Sequence, residues 1–458
     1  MRDMPQDKTL DGTLELLSDG YRYISKRCEK YQTKVFESRI MLQKVICMQG
    51  EAASRLFYEP DRFTRKGAMP PTTLKLLQDT GSVQELDGED HRWRKQMFLS
   101  MMKPQSLQNL SNQFAEQWLL QLEGWTRKKE IILLREMQEV LTRAVTRWAG
   151  VPLTDAQIKI RTVEFASMVS GAGSVGPKAA WGLLLRTQTE RWAQNLIINI
   201  RETQTENPQG TPVEAIAWHR DRKDELLTPE IAAVELINIL RPTVAVAWYI
   251  VFAAHALHEH PECRQRLQEG DSRYQEAFAQ EVRRYYPFFP FVGGRAAYDF
   301  DWQGYRFKEG AWVLLDLYGT SHDPDIWQNP AVFQPERFLQ NEINLFSLTA
   351  QGAGDVKKGH RCPGEWITIE LLKRASHLLT NVMEYAVPAQ DLAIDFSKLP
   401  AVPKSRFVMK NIRRVSKPAV KNTSRVAFDG YVQPGDFQFP GTPPLRENTS
   451  SASVSGLS

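Results

Sequence analysis

Cysteine is scarce in this chain. Only Cys28, Cys47, Cys263 and Cys362 occur among 458 residues, and no two form a Cys-x-x-Cys pair. Neither a disulfide framework nor a structural zinc site is favoured, and a reducing compartment fits best. A strong excess of one charge is absent too. The net charge is +4 and Lys and Arg form no block, so nucleic acid is not indicated as a partner. Long hydrophobic runs are missing. The longest, PTVAVAWYIVFAA over residues 242–254, is too short to span a bilayer and begins with proline. The first residues, MRDMPQDKTLDG, are polar and show no apolar signal-peptide segment. We therefore expect a soluble, cytoplasmic protein with no membrane anchor.

What is present is ordinary globular material, with 42% hydrophobic and 24% charged residues, enough for a large core. Helical spacing of apolar residues dominates, as in FAEQWLLQLEGW and ILLREMQEVLTRAVTRWAG. Strand-like pieces are fewer. AAYDFDWQGYRF (296–307) predicts a hairpin over Gly304, and AWVLLDLYG predicts a strand after it. From residue 416 the chain turns rich in Pro, Gly, Ser and Thr and loses periodicity. This predicts one mainly α domain with small β-sheets over 1–415 and a polar, disordered tail over 416–458.

The stretch GAGDVKKGHRCPGEWITIELLK (352–373) places Cys362 in a glycine-rich turn just before a predicted helix. Ile367, Leu371, Ala375, Leu378 and Leu379 share one face of that helix, and Pro363 is compatible with its first turn. A helix N-terminus favours thiolate, the form of cysteine that binds metal. Gly352, Gly354 and Gly359 leave room for a flat group, and His360 and Arg361 can meet anionic groups beside it. Two readings stay open on these residues alone: an axial cysteine ligand of haem, or an inert buried cysteine at a helix cap.

Other segments bear on that choice. EVRRYYPF sets Glu281 and Arg284 at i, i+3 on a helix that must end near Pro287, which on its own reads as a surface ion pair. FQPERF follows with Arg337. Glu-x-x-Arg, then Pro-Glu-Arg-Phe, then His-Arg-Cys-Pro-Gly, in this order, resembles the cytochrome P-450 superfamily over about residues 20–415. The resemblance implies the P-450 fold as a single haem-thiolate domain, with haem b ligated by Cys362. It implies a Glu281–Arg284–Arg337 network bracing the haem loop. It also implies that His91, Arg94 and Lys95 of DHRWRKQMF, with Arg65 of RFTRKG, reach the haem propionates. Solvated helix charges are the alternative for those four. His360 is taken as a further haem contact.

The segment TPEIAAVELINILRPTVAVAWYIVFAAHALHEHPE predicts a long helix capped by Thr228, with Pro229 in its first turn. In the resemblance this helix lies over the haem and carries an acid followed by an alcohol. Here the place reads Leu240-Arg241-Pro242-Thr243, with no acid before Thr243. Arg241 is the one charged residue between Glu235 and His255. A buried guanidinium needs a partner. Pro242 cannot donate to the carbonyl of Asn238, so a kink is expected there. A cation beside a kink in an oily helix makes an anion receptor, and a carboxylate suits Arg in bidentate fashion. An internal salt bridge to an Asp or Glu, or a contact with a haem propionate, are the alternatives.

Arg-Pro in this helix, the extended loop QGAGDVKKGHRCPGEW (351–366), EVRRYYPFFPF and DLYGTSHD (316–323) resemble one subfamily, the hydrogen-peroxide-dependent fatty-acid peroxygenases and decarboxylases. It implies a long-chain fatty acid and hydrogen peroxide as reactants and no redox partner. The acid's carboxylate, held by Arg241 beside Pro242, serves as the acid–base group, and the α or β carbon is hydroxylated. Gln84 stands where the subfamily has a distal-pocket Gln or His, and Gln points to hydroxylation. Val175, Phe288 and Phe291 are candidate acyl-chain contacts, each of which also reads as plain core. SGAGSVGPKAAWG (170–182) holds a Gly-x-Gly-x-x-Gly pattern, but no strand precedes it, so it does not read as a dinucleotide site. The alternatives are oxidative decarboxylation to a terminal alkene, a reductase-dependent P-450 monooxygenase, and a non-catalytic haem-thiolate sensor.

Overall fold

Pro229–Glu259 form one helix of 31 residues that serves as the axis of the fold in the computed structural model, which describes residues 2–203, 210–340 and 342–415. The tail expected over 416–458 lies outside the described residues. Thr228 caps the central helix by accepting from the Ile231 N–H at 3.3 Å, and Pro229 fills the first turn. From Ala232 to Leu257 only Pro242 and His255 escape full burial. It is the one described helix long and apolar enough to cross a membrane, yet 94% of its apolar window is buried inside the protein, so it is a core helix. A proline in a helix interior costs about 3 kcal/mol. Each fully buried Leu, Ile or Val returns about 1.5–3 kcal/mol. The second term wins: the helix continues through Pro242 as one element.

The helices that pack most extensively on this axis are Leu133–Trp148, Asp155–Gly171, Pro177–Thr203 and Glu365–His377. In the first, Leu133, Met137, Val140, Leu141, Ala144, Val145 and Trp148 form one buried stripe, as the helical spacing predicts. Pro104–Trp125, which contains FAEQWLLQLEGW, lies against it.

The sheets are small. A five-stranded sheet has the order Val35–Ile40, Gln43–Met48, Trp312–Asp316, Phe291–Ala296, Phe63–Thr64, and only the second and third pair in parallel. Glu130–Ile132, Val408–Arg414 and Met383–Ala386 form a three-stranded sheet. The expected hairpin pairs Phe300–Trp302 with Tyr305–Phe307 over Gln303 (φ 50°) and Gly304 (φ 83°). Two successive left-handed residues match the twist of a tight hairpin, and glycine takes one of them at no steric cost. The Gly-x-Gly-x-x-Gly pattern of residues 171–176 follows the helix Asp155–Gly171, not a strand.

Candidate active site

Cys362 sits at the foot of Glu365–His377. That helix starts three residues later, with Gly364 as its cap, so Pro363 precedes the first turn and does not lie within it. Ile367, Leu371, Ala375, Leu378 and Leu379 are all buried, as their spacing predicts. The loop closes on itself through the Cys362 N–H, which donates to the Gln351 carbonyl at 3.1 Å. Gly352 has φ 97°, and a Cβ there would stand 2.8 Å from the Tyr58 hydroxyl, so this turn requires glycine. Burial pushes the Cys362 thiol up, while the Gly364 backbone N–H, Lys95 and Arg283 pull the other way. A coordinating cation beside the sulfur would favour the thiolate.

The helix Gly88–Ser100 brings basic side chains to this loop. The Lys95 ammonium, 2% exposed, donates to the carbonyls of Gly359 and Arg361, the latter at 2.7 Å. Burial lowers its pKa to about 7. The rings of His91 and His360 stack with centroids 3.9 Å apart. Burial lowers the pKa of His91 to about 2 and that of His360 to about 4. Arg65 is buried, donates from Nη1 to the Gly293 carbonyl at 3.2 Å, and its Nε has no acceptor. Arg65, His91 and His360 line one cavity of about 380 Å³. Neither Cys362 nor Arg241 lines it, so this cavity marks the basic edge of the site and not its reacting centre.

This arrangement fits haem. An orphaned buried donor, a desolvated ammonium and two neutralised imidazoles beside a lone thiol are relieved together by a group that carries acidic oxygens and accepts one sulfur ligand. Among the described residues no group of three or more His, Cys, Asp and Glu is arranged to hold a metal ion, so Cys362 would act as a single protein ligand. Two basic residues have protein partners. Arg94 donates from Nη1 to Glu235 Oε1 on the central helix at 2.9 Å. Arg361 pairs with Glu365 (Nε to Oε2, 2.6 Å), so it braces the loop from within.

Glu365 gives the loop a pH dependence. Burial alone would raise its pKa, but the guanidinium groups of Arg283 and Arg361 bring it down to about 2. A carboxylate lowered from 4.5 to about 2 on folding contributes stability that is present above pH 4.5 and is lost as pH falls towards 2. The size is on the order of 3 kcal/mol. Glu365→Gln should remove most of that acid-dependent loss, seen as a flatter profile of unfolding midpoint against pH between 4.5 and 2. An unchanged profile would refute this account of Glu365.

Glu281, Arg284 and Arg337 do come together, in the interior. Arg284 Nε and Nη2 each reach a Glu281 carboxylate oxygen at 2.7 Å, and Arg337 Nε reaches Oε2 at 3.2 Å. Arg284 also donates to the carbonyls of Ser321, Pro330 and Val332 at 2.9, 3.0 and 3.2 Å. Both Glu281 and Arg284 are fully buried, so the surface-pair reading does not hold.

On the central helix, Glu235, Asn238 and Arg241 stand at i, i+3 and i+6 on one face. All three hold the segment 71–85, which we call the strap. Glu235 Oε1 accepts from the Val83 N–H at 2.8 Å; Asn238 Nδ2 donates to the Gln78 carbonyl at 3.0 Å and to Gln84 Oε1 at 3.3 Å. Arg241 Nη1 donates to the Leu76 carbonyl at 2.7 Å. That carbonyl belongs to the last turn of the strap helix Pro71–Leu77, where carbonyls lack helical partners. Arg241 is 4% exposed, and among the described residues it pairs with no carboxylate. Burial, then the neighbouring Arg186, lower its pKa to about 9. Thr243 turns its hydroxyl back to the Ile239 carbonyl at 2.8 Å.

The wall candidates divide. Phe288 stacks on Tyr249 of the central helix, centroids 4.3 Å apart. Phe291 opens a sheet strand and packs with Tyr23, Trp312 and Leu314, so the pleat places it in sheet core. Val175 is 73% exposed on the loop between two helices, where a side chain enclosed by a pocket would be buried. Sequence reasoning missed Glu235, Asn238, Asp79 and Arg186. Their partners lie far off in the chain, and the one available signal was a charged or amide residue on an otherwise oily helix.

Comparison with known proteins adds the following. The family model described as Cytochrome P450 matches residues 219–369. A structure of a variant of cytochrome P450SP alpha (CYP152B1) is 49% identical and covers 88% of this chain and 99% of its own, with a TM-score of 0.86. Wild-type cytochrome P450EX alpha (CYP152N1) with myristic acid is 39% identical, with 91% and 100% covered and a TM-score of 0.87. A variant of cytochrome P450 OleT in complex with arachidonic acid is 32% identical, with 91% and 100% covered and a TM-score of 0.88.

Proposed function

This chain belongs to the cytochrome P450 family of haem oxidoreductases, alongside its CYP152 members, and from that premise we propose that it is a soluble, cytoplasmic peroxygenase. It uses hydrogen peroxide to hydroxylate long-chain fatty acids at the α or β carbon, without a redox partner. Arg241 carries this reading: a buried guanidinium with a carbonyl partner and, among the described residues, no carboxylate is built to receive an anion. Fatty acids accompany two of the similar structures, which supports an acid as that anion.

The Cys362 sulfur would hold haem b, with Arg65, His91, Lys95 and His360 meeting its acidic groups, and the bound haem would supply the oxidising chemistry. The chain's own residues do the rest. Arg241 binds and orients the headgroup, which places the α and β carbons nearest the reacting position. Thr243, the one alcohol in the expected place, spends its proton on the Ile239 carbonyl. Glu235 is committed to Arg94 and Val83. Neither Glu235 nor Thr243, which flank Arg241 on the central helix, is left to move a proton, and the substrate's carboxylate, fixed by Arg241, takes that role. Gln84, bonded to Asn238, stands on the strap at the side of the site and presents an amide, not an imidazole.

The test is a reaction of purified holoprotein with myristic acid and hydrogen peroxide, without reductase, and product identification by mass spectrometry. Hydroxymyristic acid is the expected product. A terminal alkene would replace hydroxylation by decarboxylation. Product with NADPH and a reductase, but none with peroxide, would refute the peroxygenase reading.

A further inference from the structure

Behind Arg241 lies a second charged cluster. Arg186, with no exposed surface, donates from Nε to Glu190 Oε1 at 2.6 Å, and its Nη2 stands 3.5 Å from Asp79 Oδ2. Lys75 bridges the same two carboxylates, at 2.7 Å to Asp79 and 3.0 Å to Glu190. Lys75 and Asp79 flank Leu76, whose carbonyl takes the Arg241 N–H. Asp79 holds a left-handed backbone (φ 79°), uncommon for a side chain, while its N–H donates to the Leu74 carbonyl at 2.8 Å. Leu76 itself is fully buried against the helices Asp155–Gly171 and Pro177–Thr203. A Cβ on Gly171 or Gly182 would stand 3.4 or 3.3 Å from its methyl groups. The end of the strap helix is thus pinned by charge on two sides and by packing beneath.

We propose that Lys75, Asp79, Arg186 and Glu190 form a positioning device for Arg241. They fix the Leu76 carbonyl so that it takes one N–H of the guanidinium and leaves the remaining N–H groups oriented for an acid headgroup. The proposal rests on Arg241 as headgroup receptor. It assigns acid-specific affinity to residues on the strap and on the helix Pro177–Thr203.

Electrostatic field and positioning predict opposite signs, which makes the cluster testable. Loss of a carboxylate charge leaves the surroundings of Arg241 more positive, so a field effect alone would tighten binding of an acid. Loss of positioning weakens it. Asp79→Asn keeps a residue type that tolerates left-handed backbone and keeps an oxygen for the Thr80 N–H, while removing the ion pairs. Calorimetric titration of the holoprotein with myristic acid and with tetradecan-1-ol should show the Kd for the acid rising roughly tenfold, within the usual span of coupling between linked groups. The Kd for the alcohol and the haem-thiolate spectrum should stay near wild type. Glu190→Gln, at a less buried position, should act in the same direction. Unchanged or tighter acid binding overturns the proposal, and so does equal weakening of acid and alcohol, which marks a merely structural role. Arg241→Ala is the companion: if it leaves the preference for acid over alcohol intact, the receptor reading itself fails, and the proposal with it.

Discussion

Arg241→Ala is expected to cut kcat/KM for a fatty acid with peroxide by a hundredfold or more, while the haem-thiolate spectrum stays intact. Truncating one partner of a buried, hydrogen-bonded charge pair costs about 2–5 kcal/mol, and each 1.4 kcal/mol is a factor of ten. The upper part of that range applies, because Arg241 is buried and among the described residues pairs with no carboxylate, so its loss leaves a bound headgroup without a counter-ion. The loss should fall on kcat as well as KM, since the bound carboxylate is also the proton carrier. The spectrum should survive because the guanidinium bonds to the Leu76 carbonyl on the strap and not to the Cys362 loop. Initial rates against peroxide, with absorption spectra of the same samples, check both halves. Turnover within a few-fold of wild type would remove Arg241 from the mechanism.

The largest effect on stability is expected from Glu281→Gln. Glu281 is fully buried and its carboxylate is shared by Arg284 and Arg337. Its Oε1 also accepts from the Gln334 N–H at 2.8 Å. Breaking a buried pair by removing one partner costs about 3–5 kcal/mol, because the other charge is left uncompensated. Here a fully buried guanidinium, Arg284, loses its counter-ion. Unfolding entropy near 2 cal/mol/K per residue makes each kcal/mol worth roughly 1 °C in a chain of this size, so the thermal midpoint should fall by roughly 3–5 °C. Differential scanning of the two holoproteins measures this. A change below 1 °C would return the pair to the status of a surface salt bridge, which contributes little.

Much of the fold and the family were legible because they rest on local rules and on short ordered motifs. Thr228-Pro229 at a helix start, the left-handed Gln303-Gly304 turn and the stripe of Ile367, Leu371 and Ala375 each need only a few neighbouring residues. Arg241 stood out by contrast, one cation in an oily stretch. The partners of such residues were not legible. Arg94 meets Glu235 across 141 positions, and Arg186 stands by Asp79 across 107. No periodicity records such a pairing; only the packing of helix on helix creates it. Phe291 reads in sequence equally as pocket wall and as core, and its half-buried ring packs against the sheet cluster, a contact only the strand register creates. Pro363 misled by one turn: two residues of loop, Pro363 and Gly364, separate Cys362 from the helix.

The most direct measurement of the central claim is a crystal structure of the holoprotein with a long-chain fatty acid. The account predicts headgroup oxygens within hydrogen-bond distance of Arg241, with the guanidinium still bonded to the Leu76 carbonyl and the acyl chain leading away from the haem. A headgroup directed to solvent, with Arg241 turned onto a protein carboxylate, would contradict it.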